Sequence, residues 1–292
     1  MFYALGSSLM YALASVLQHR GASDQPDEQS MKLGLLVGLA RHPAWLIGLA
    51  CDVAGYVLQF LALGHGPLVV VQPLLVCGLL FALPIGAAWA GWRLSAAQWL
   101  WAVMVCVGLA VFLTVANPAA GRANTNLRTW LVLLTTVTAV TAALVLYGQN
   151  QGPRRRSLLL STAAGILYGA AAALTKTSSH LLDRGLVHAL THWQPYALLT
   201  VAGVGMLLSQ SAFQAGALDV SLPAMSVGDP VVSILIGAIV FEEAVATGAA
   251  HLTVEIVSLL VMCAGVILLA RSEAAEVDDH RRVLTPVEPT TK

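Results

Sequence analysis

Two aspartates stand where an acid is costly. Asp229, in Gly228-Asp229-Pro230, and Asp52 each lie near the middle of a long apolar run. An ionised carboxylate at the centre of a bilayer costs about 2.5–3.5 kcal/mol, so it must face a cavity or a partner, where it can carry a proton or a cation. The structural alternative is an acid that hydrogen-bonds a neighbouring helix. Asp229 is the better candidate for chemistry, because Pro230 removes a backbone N–H and Gly228 loosens the helix. Freed carbonyls and close approach follow, as at the broken helices of transporter sites.

Other polar groups sit in the same runs. Tyr11, Tyr56 and Tyr168 can place hydroxyls in a central cavity. Gln18, Gln59, Gln72, Gln210 and Gln214 can glue helices together or line a pore. Gln72-Pro73 and Leu222-Pro223 mark expected breaks early in their helices. Lys176 and His19 fall near opposite faces of the membrane. Lys176 either snorkels outward or pairs with Asp183, Glu255 or an anionic substrate. His19, beside Arg20, reads as interfacial, and Glu255 also lies within snorkelling reach of a surface. Pro230, Lys176, His19 and Glu255 are the candidates for coupling or gating. These polar groups need a scaffold to hold them, and composition says what kind.

Of the 292 residues, 58% are hydrophobic and 10% charged, with a mean hydropathy of +0.77. Soluble domains carry about 25% charged residues, so lipid must solvate much of this surface. Lys+Arg 15 balances Asp+Glu 15, leaving no basic field for nucleic acid. Cys51, Cys77, Cys106 and Cys263 sit singly in apolar runs and read as buried free thiols. A crossing helix needs about 20 largely apolar residues. Such runs are 2–19, 43–64, 68–91, 96–115, 129–147, 157–181, 195–217, 220–242 and 251–271, with the first read as a retained helix and not a cleaved leader. Residues 31–41 are apolar but too short to span and read as an interfacial helix.

Orientation follows from Lys and Arg in short loops. Arg20, Lys32, Arg41, Arg93, Arg154, Arg155, Arg156 and Arg271 fall on one side, against Arg122, Arg128 and Arg184 on the other. The expected topology is therefore N-terminus outside and C-terminus cytoplasmic, in the cytoplasmic membrane. Arg154-Arg155-Arg156 reads as a topology determinant with anionic lipid contact second. Trp45, Trp89, Trp92, Trp99 and Trp101 are expected near the inner face, Trp130 and Trp193 near the outer. The segment 272–292 reads as a disordered cytoplasmic tail.

The chain also carries an internal repeat. An offset of 157 residues lays LMYALASVLQH (9–19) over ILYGAAAALTK (166–176), matching Tyr11 with Tyr168. The same offset lays VCVGLAVFL (105–113) over MCAGVILLA (262–270), matching Cys106 with Cys263 and Gly108 with Gly265. Between them an offset of 153 matches Phe60 with Phe213 and Ala62 with Ala215. The expected organisation is a four-helix unit at 1–115, a connector at 116–156 and a second four-helix unit at 157–271. Five crossings separate the copies, so the second is inverted, as in many secondary transporters.

These features resemble the drug/metabolite transporter (EamA-like) superfamily, and within it are similar to the NIPA-type magnesium transporters. The stretch WLIGLACDVAGYVLQFLALGHGPLVVVQPL (45–74) carries the resemblance, together with Gln210, Ala217-Leu218-Asp219 and VVSILIGAIVFEE (231–243), a helix that ends in acid. Where that family has a glycine–acid pair this chain has Gly55-Tyr56, and its Asn is Gln59. The resemblance implies a polytopic all-α transporter, with magnesium or another divalent cation as one substrate and a lipid-linked carrier as another.

The function expected is secondary transport of a small solute or cation by alternating access. No GxxxxGK[ST] loop is present, so neither ATP nor another cofactor is expected. The binding site is expected at Asp229, Asp52, Tyr11 and Tyr168, with Gln59, Gln72 and Gln210 as further lining. An intramembrane aspartyl protease would want Gly-x-Gly-Asp, where this chain has Ser226-Val227-Gly228-Asp229, so no enzyme is expected. A non-transporting scaffold is the reading from another class, but it has no need of two-sided access. Expected partners are the substrate, membrane lipids and, open at this point, a second copy of the chain in a homodimer.

Overall fold

The computed structural model describes residues 1–23, 43–90, 94–116, 121–122, 124–215, 218–243 and 249–284. The expected interfacial helix at 31–41 lies outside them, as do residues 285–292. Among the described residues the chain is helical throughout, with no strand: α1 (Phe2–Ser23), α2 (Pro43–His65), α3 (Leu68–Leu75), α4 (Cys77–Ala90), α5 (Ala96–Ala116), α6 (Leu127–Gln149), α7 (Pro153–Leu182), a short α8 (Leu186–Leu190), α9 (Gln194–Gln214), α10 (Leu218–Ile239) and α11 (Ala249–Leu284). Over the described residues each of the nine long apolar runs forms helix, as lipid demands of any backbone it surrounds. Six stretches are long and apolar enough to cross a membrane: α2, α3 with α4, α5, α6, α7 and the apolar part of α11. Phe2–Leu17, Gln194–Ser209 and Pro223–Ile239 are shorter apolar helices.

The surface is as apolar as the core. Ile47, Val53, Leu131, Leu199, Leu207 and Leu260 are all more than half exposed. Water would not tolerate such a coat, and hydrocarbon does. This is a helical membrane protein. Its four cysteines are unpaired.

The bundle is built around α7, of whose apolar window 72% is buried against 17% for α6. Ala, Gly, Ser and Thr dominate its buried face, from Ser157 to Ser179. Small side chains let neighbours approach closely where no hydrophobic effect drives association. Helices α9 and α10 take opposite flanks of α7, as α2 and α4 pack on α1, and α5 packs on α11. At the α5–α11 crossing a Cβ added to Gly108 would come 2.8 Å from the Met262 nitrogen and the Ser258 carbonyl oxygen. One added to Gly265 would come 3.0 Å from the Trp101 carbonyl oxygen.

Three expectations need correcting. The run 68–91 does break, but at Val76, between α3 and α4, with Pro73 inside α3. Val76 N–H bonds to the Pro73 carbonyl at 3.2 Å and Leu79 N–H to the Val76 carbonyl at 3.1 Å, a tightened turn one step beyond the proline. At Leu222-Pro223 there is no break: α10 runs through both Pro223 and Pro230. Pro223 is the sixth residue of α10, so the bond to the Asp219 carbonyl is lost without ending the helix. The expected tail is helical as far as Leu284. Its Ala, Glu and Arg favour helix, and Glu276 with His280 and Asp278 with Arg282 have the favourable i,i+4 order. Trp130 is 1% exposed, edge-on to Trp193 and Phe241, with Nε1 donating to Asn124 Oδ1 at 3.1 Å.

The close backbone approach at Gly108 gives a direct test. Gly108→Ala is expected to destabilise the purified protein by about 1–3 kcal/mol, as overpacking does. Gly203→Ala, with nothing within 4 Å of its added Cβ, is the control. Equal thermal midpoints for the two variants in detergent would refute the tight α5–α11 crossing.

Candidate functional site

Two polar centres lie on one stretch of chain. The first is at the start of α3. Pro67 precedes that helix and has no side-chain cap to offer its free N–H groups. Glu243, just past the end of α10, supplies one. Its Oε1 accepts from Leu68 N–H and its Oε2 from Val69 N–H, both at 2.7 Å. A carboxylate here also meets the positive end of the helix dipole. Lys176 of α7 donates to the same Oε1 at 2.5 Å, with Nζ 4.7 Å above the Phe241 ring. The side chains of Lys176 and Glu243 are 4% and 0% exposed.

The local chain is shaped for this. Glu242 takes a left-handed φ of 52° so that α10 can end and Glu243 turn inward. Gly237 leaves the space, since a Cβ there would come 2.5 Å from Glu243 Oε2 and 2.8 Å from Val69. Exposed Arg122 pairs with Glu242 at 2.8 Å, and its N–H bonds to the Phe241 carbonyl at 2.7 Å. Lys176 therefore neither snorkels nor pairs with Asp183 or Glu255. Lipid offers no partner for an ammonium, and a carboxylate already held by two N–H groups does. Glu255 does not snorkel either: it is 3% exposed, on the inward face of α11.

The second centre is a cavity of about 270 Å³. It is lined by Gln72 and Leu75 of α3, Val76 at the break, Leu79 of α4, Tyr168 of α7, and Met225, Ser226, Asp229 and Pro230 of α10. Asp229 Oδ1 accepts from Ser233 Oγ at 3.1 Å. The Tyr168 hydroxyl is 3.1 Å from Ser209 Oγ. Gln72 is 1% exposed, and its Nε2 has no hydrogen-bond partner among the described residues. Pro230 has no N–H, so the Ser226 carbonyl lacks its usual helical donor.

Of the residues expected at the site, the cavity gathers Asp229, Tyr168, Gln72 and Pro230. Tyr11 and Gln59 are joined to each other beside it, hydroxyl to Oε1 at 2.7 Å. Asp52, Tyr56 and Asp229 lie near enough to act electrostatically on the Tyr11 hydroxyl. The side chains of His19 and Gln210 lie outside the described residues. Glu243 and Ser226 were not among the candidates. The one sequence signal for Glu243 is the acid that closes VVSILIGAIVFEE; its partners, Leu68 and Lys176, are remote in the chain.

Against known proteins, the chain is 30% identical over 282 residues to an uncharacterized protein of Corynebacterium glutamicum, a match that spans 96% of this chain and 98% of that one. No family model matches it, and no solved structure does.

The buried pair is open to a double-mutant cycle. Removing one partner strands the other charge, so Lys176→Met and Glu243→Gln are each expected to cost about 3–5 kcal/mol of stability. The double variant is expected to cost less than the sum of the two. Additive losses in detergent unfolding would show that the two side chains do not depend on each other.

Proposed function

This chain belongs to one family with that Corynebacterium protein, and on this premise we propose that it is a secondary transporter of the cytoplasmic membrane. It crosses nine times, as two inverted four-helix units, and moves a small solute or cation by alternating access. The drug/metabolite transporter superfamily is the proposed wider kinship.

The observation that carries the reading is the reciprocity of contacts between the halves. Gly108 meets Ser258 and Met262, while Gly265 meets Trp101 and Val105. With the offset of 157, these are one contact set made twice, each helix playing both parts. Two parallel helices related by a two-fold would place Gly108 about 10 Å above the partner position of Trp101, at 1.5 Å per residue. Contacts at that spacing support helices that run in opposite directions, as two inverted units would.

Further pairs repeat. Tyr11 lies on Gly55 and bonds Gln59, four residues on; Tyr168 lies on Gly205 and reaches Ser209, four residues on. A Cβ on Gly78 would approach Ser8, and one on Gly228 would approach Gly165. These contacts set an offset of 150 for α2 with α9, not the 153 that aligned Phe60 with Phe213. The same 150 aligns Pro73 with Pro223, Leu75 with Met225, Val76 with Ser226 and Leu79 with Asp229. Three of these pairs line the cavity, which would put it on the symmetry axis, where alternating access needs its site.

Nine crossings would also bring 65–68, 116–128, 176–193 and 242–250 to one face. Leu68, Arg122, Lys176, Trp193 and Glu243 do gather at one end of the bundle. There Glu243 holds the first turn of α3, while the cavity borders Gln72 and Leu75 of the same helix, an arrangement compatible with a transporter closed on that side.

Two experiments test this. In a cysteine-free background, cysteines at Asn124 and Gln151 are expected to label from opposite sides of intact cells; same-side labelling would sink the nine-span topology. In proteoliposomes, the wild type is expected to move solute or proton down an imposed gradient. Asp229→Asn, which keeps shape and loses titration, is expected to fall to the protein-free rate while still inserting. Undiminished flux in that variant would remove Asp229 from the mechanism.

A further inference from the structure

The cavity is lined by two chemically distinct kinds of polar group. Asp229 and Ser226 lie three residues apart on α10 and so share a face. They present a carboxylate and a backbone carbonyl deprived of its donor by Pro230. Both are acceptors. Gln72 of α3 also lines the cavity, and its Nε2 is a buried donor with no partner among the described residues. A buried amide N–H left unpaired costs about 1–3 kcal/mol, a cost that a ligand acceptor removes. The rest of the lining is Leu75, Val76, Leu79, Met225, Pro230 and Tyr168, whose hydroxyl lies 3.1 Å from Ser209 Oγ.

We infer that the substrate is a small organic ammonium carrying a hydrogen-bond acceptor at its far end, joined by a short hydrocarbon spacer. This rests on the transport reading and names its substrate class. The ammonium bridges Asp229 and the Ser226 carbonyl, the spacer lies along Leu75, Leu79 and Met225, and the acceptor takes the Gln72 N–H. Chemistry disfavours a bare divalent cation. Such ions want six or more oxygens, several of them charged, and among the described residues no three of His, Cys, Asp and Glu come together to hold one. The apolar walls and the Gln72 donor also have nothing to give a metal ion. At about 270 Å³ the space is small even for a ligand pocket.

The test is calorimetric titration of the full chain in detergent micelles. The probes are ethanolamine, 4-aminobutanol, 6-aminohexanol and tyramine, which keep both polar ends and vary the spacer. Hexylamine lacks the acceptor, 1-hexanol lacks the nitrogen, and sodium and magnesium chlorides stand for bare cations. At least one amino alcohol is expected to bind saturably and more tightly than hexylamine or hexanol. Asp229→Asn is expected to weaken it tenfold or more, as loss of a charged hydrogen bond does. Gln72→Met, which keeps length and loses the donor, is expected to weaken the amino alcohol severalfold and leave hexylamine unchanged. If Gln72→Met does not fold, the wild-type preference for amino alcohol over hexylamine still decides. Failure of all four amino alcohols to bind overturns the inference, as does magnesium or sodium binding that depends on Asp229 in their place. Equal loss of hexylamine and amino alcohol in Gln72→Met also overturns it. Amine binding with no flux in vesicles would leave this site standing and sink the transport reading. Flux of another solute with no amine binding would do the reverse.

Discussion

One carboxylate organises an entire end of this protein. Glu243 accepts from the first two N–H groups of α3 and from Lys176, and so joins the α2–α3 turn, α7 and the end of α10 at a single point. In water each of these groups would find solvent, and the pair would be worth little. Inside an apolar bundle none has an alternative partner. The left-handed Glu242, the bare Gly237 and the Phe241 ring beneath Lys176 are all fitted to that point. Remove the acid and a helix start, an ammonium and a chain turn lose their partner together.

The same constraint explains where the polar cavity can be. Helix α3 spends its first turn on Glu243 and its next turns on the cavity wall, from Gln72 to Leu75. Prolines do parallel work on the two sides: Pro73 precedes the break at Val76, and Pro230 frees the carbonyl of Ser226. A backbone at membrane depth tolerates such defects only where protein or a polar cavity receives them. Here Val76 and Ser226 both border the space that Asp229 also borders. The lock and the cavity are thus adjacent segments of one helix, and movement of α3 would alter both.

Packing between helices depends on absent side chains. Gly165 and Gly169 on α7 meet Gly228 and Val232 on α10, and Gly108 and Gly265 meet opposing backbone on α5 and α11. In lipid, close van der Waals approach replaces the hydrophobic effect as the source of helix association. Helices in such contact can rock against each other without exposing new apolar surface to water. That freedom suits a molecule whose proposed work is to open on alternate sides.

The sequence by itself determined the solvent, the all-helical class and the rough limits of the helices, because these follow from local apolarity and from the need of every backbone group for a partner. It also singled out Asp229, since an acid between Gly228 and Pro230 in an apolar run is anomalous wherever it packs. It could not place Lys176. A lone lysine near a helix end has several possible partners, and the choice of Glu243 depends on a contact across 67 residues of chain. Nor could it set the register of the second helices, where Phe60 and Phe213 match by letter but Gly55 and Gly205 match by the tyrosines that rest on them. It read the tail as disordered, because charge and solubility look alike in a helix and a coil. Only the tertiary structure decided which polar groups meet. Hydrophobicity fixes depth and period along a helix, whereas rotation about its axis, which chooses neighbours, is set by the packing of all the others.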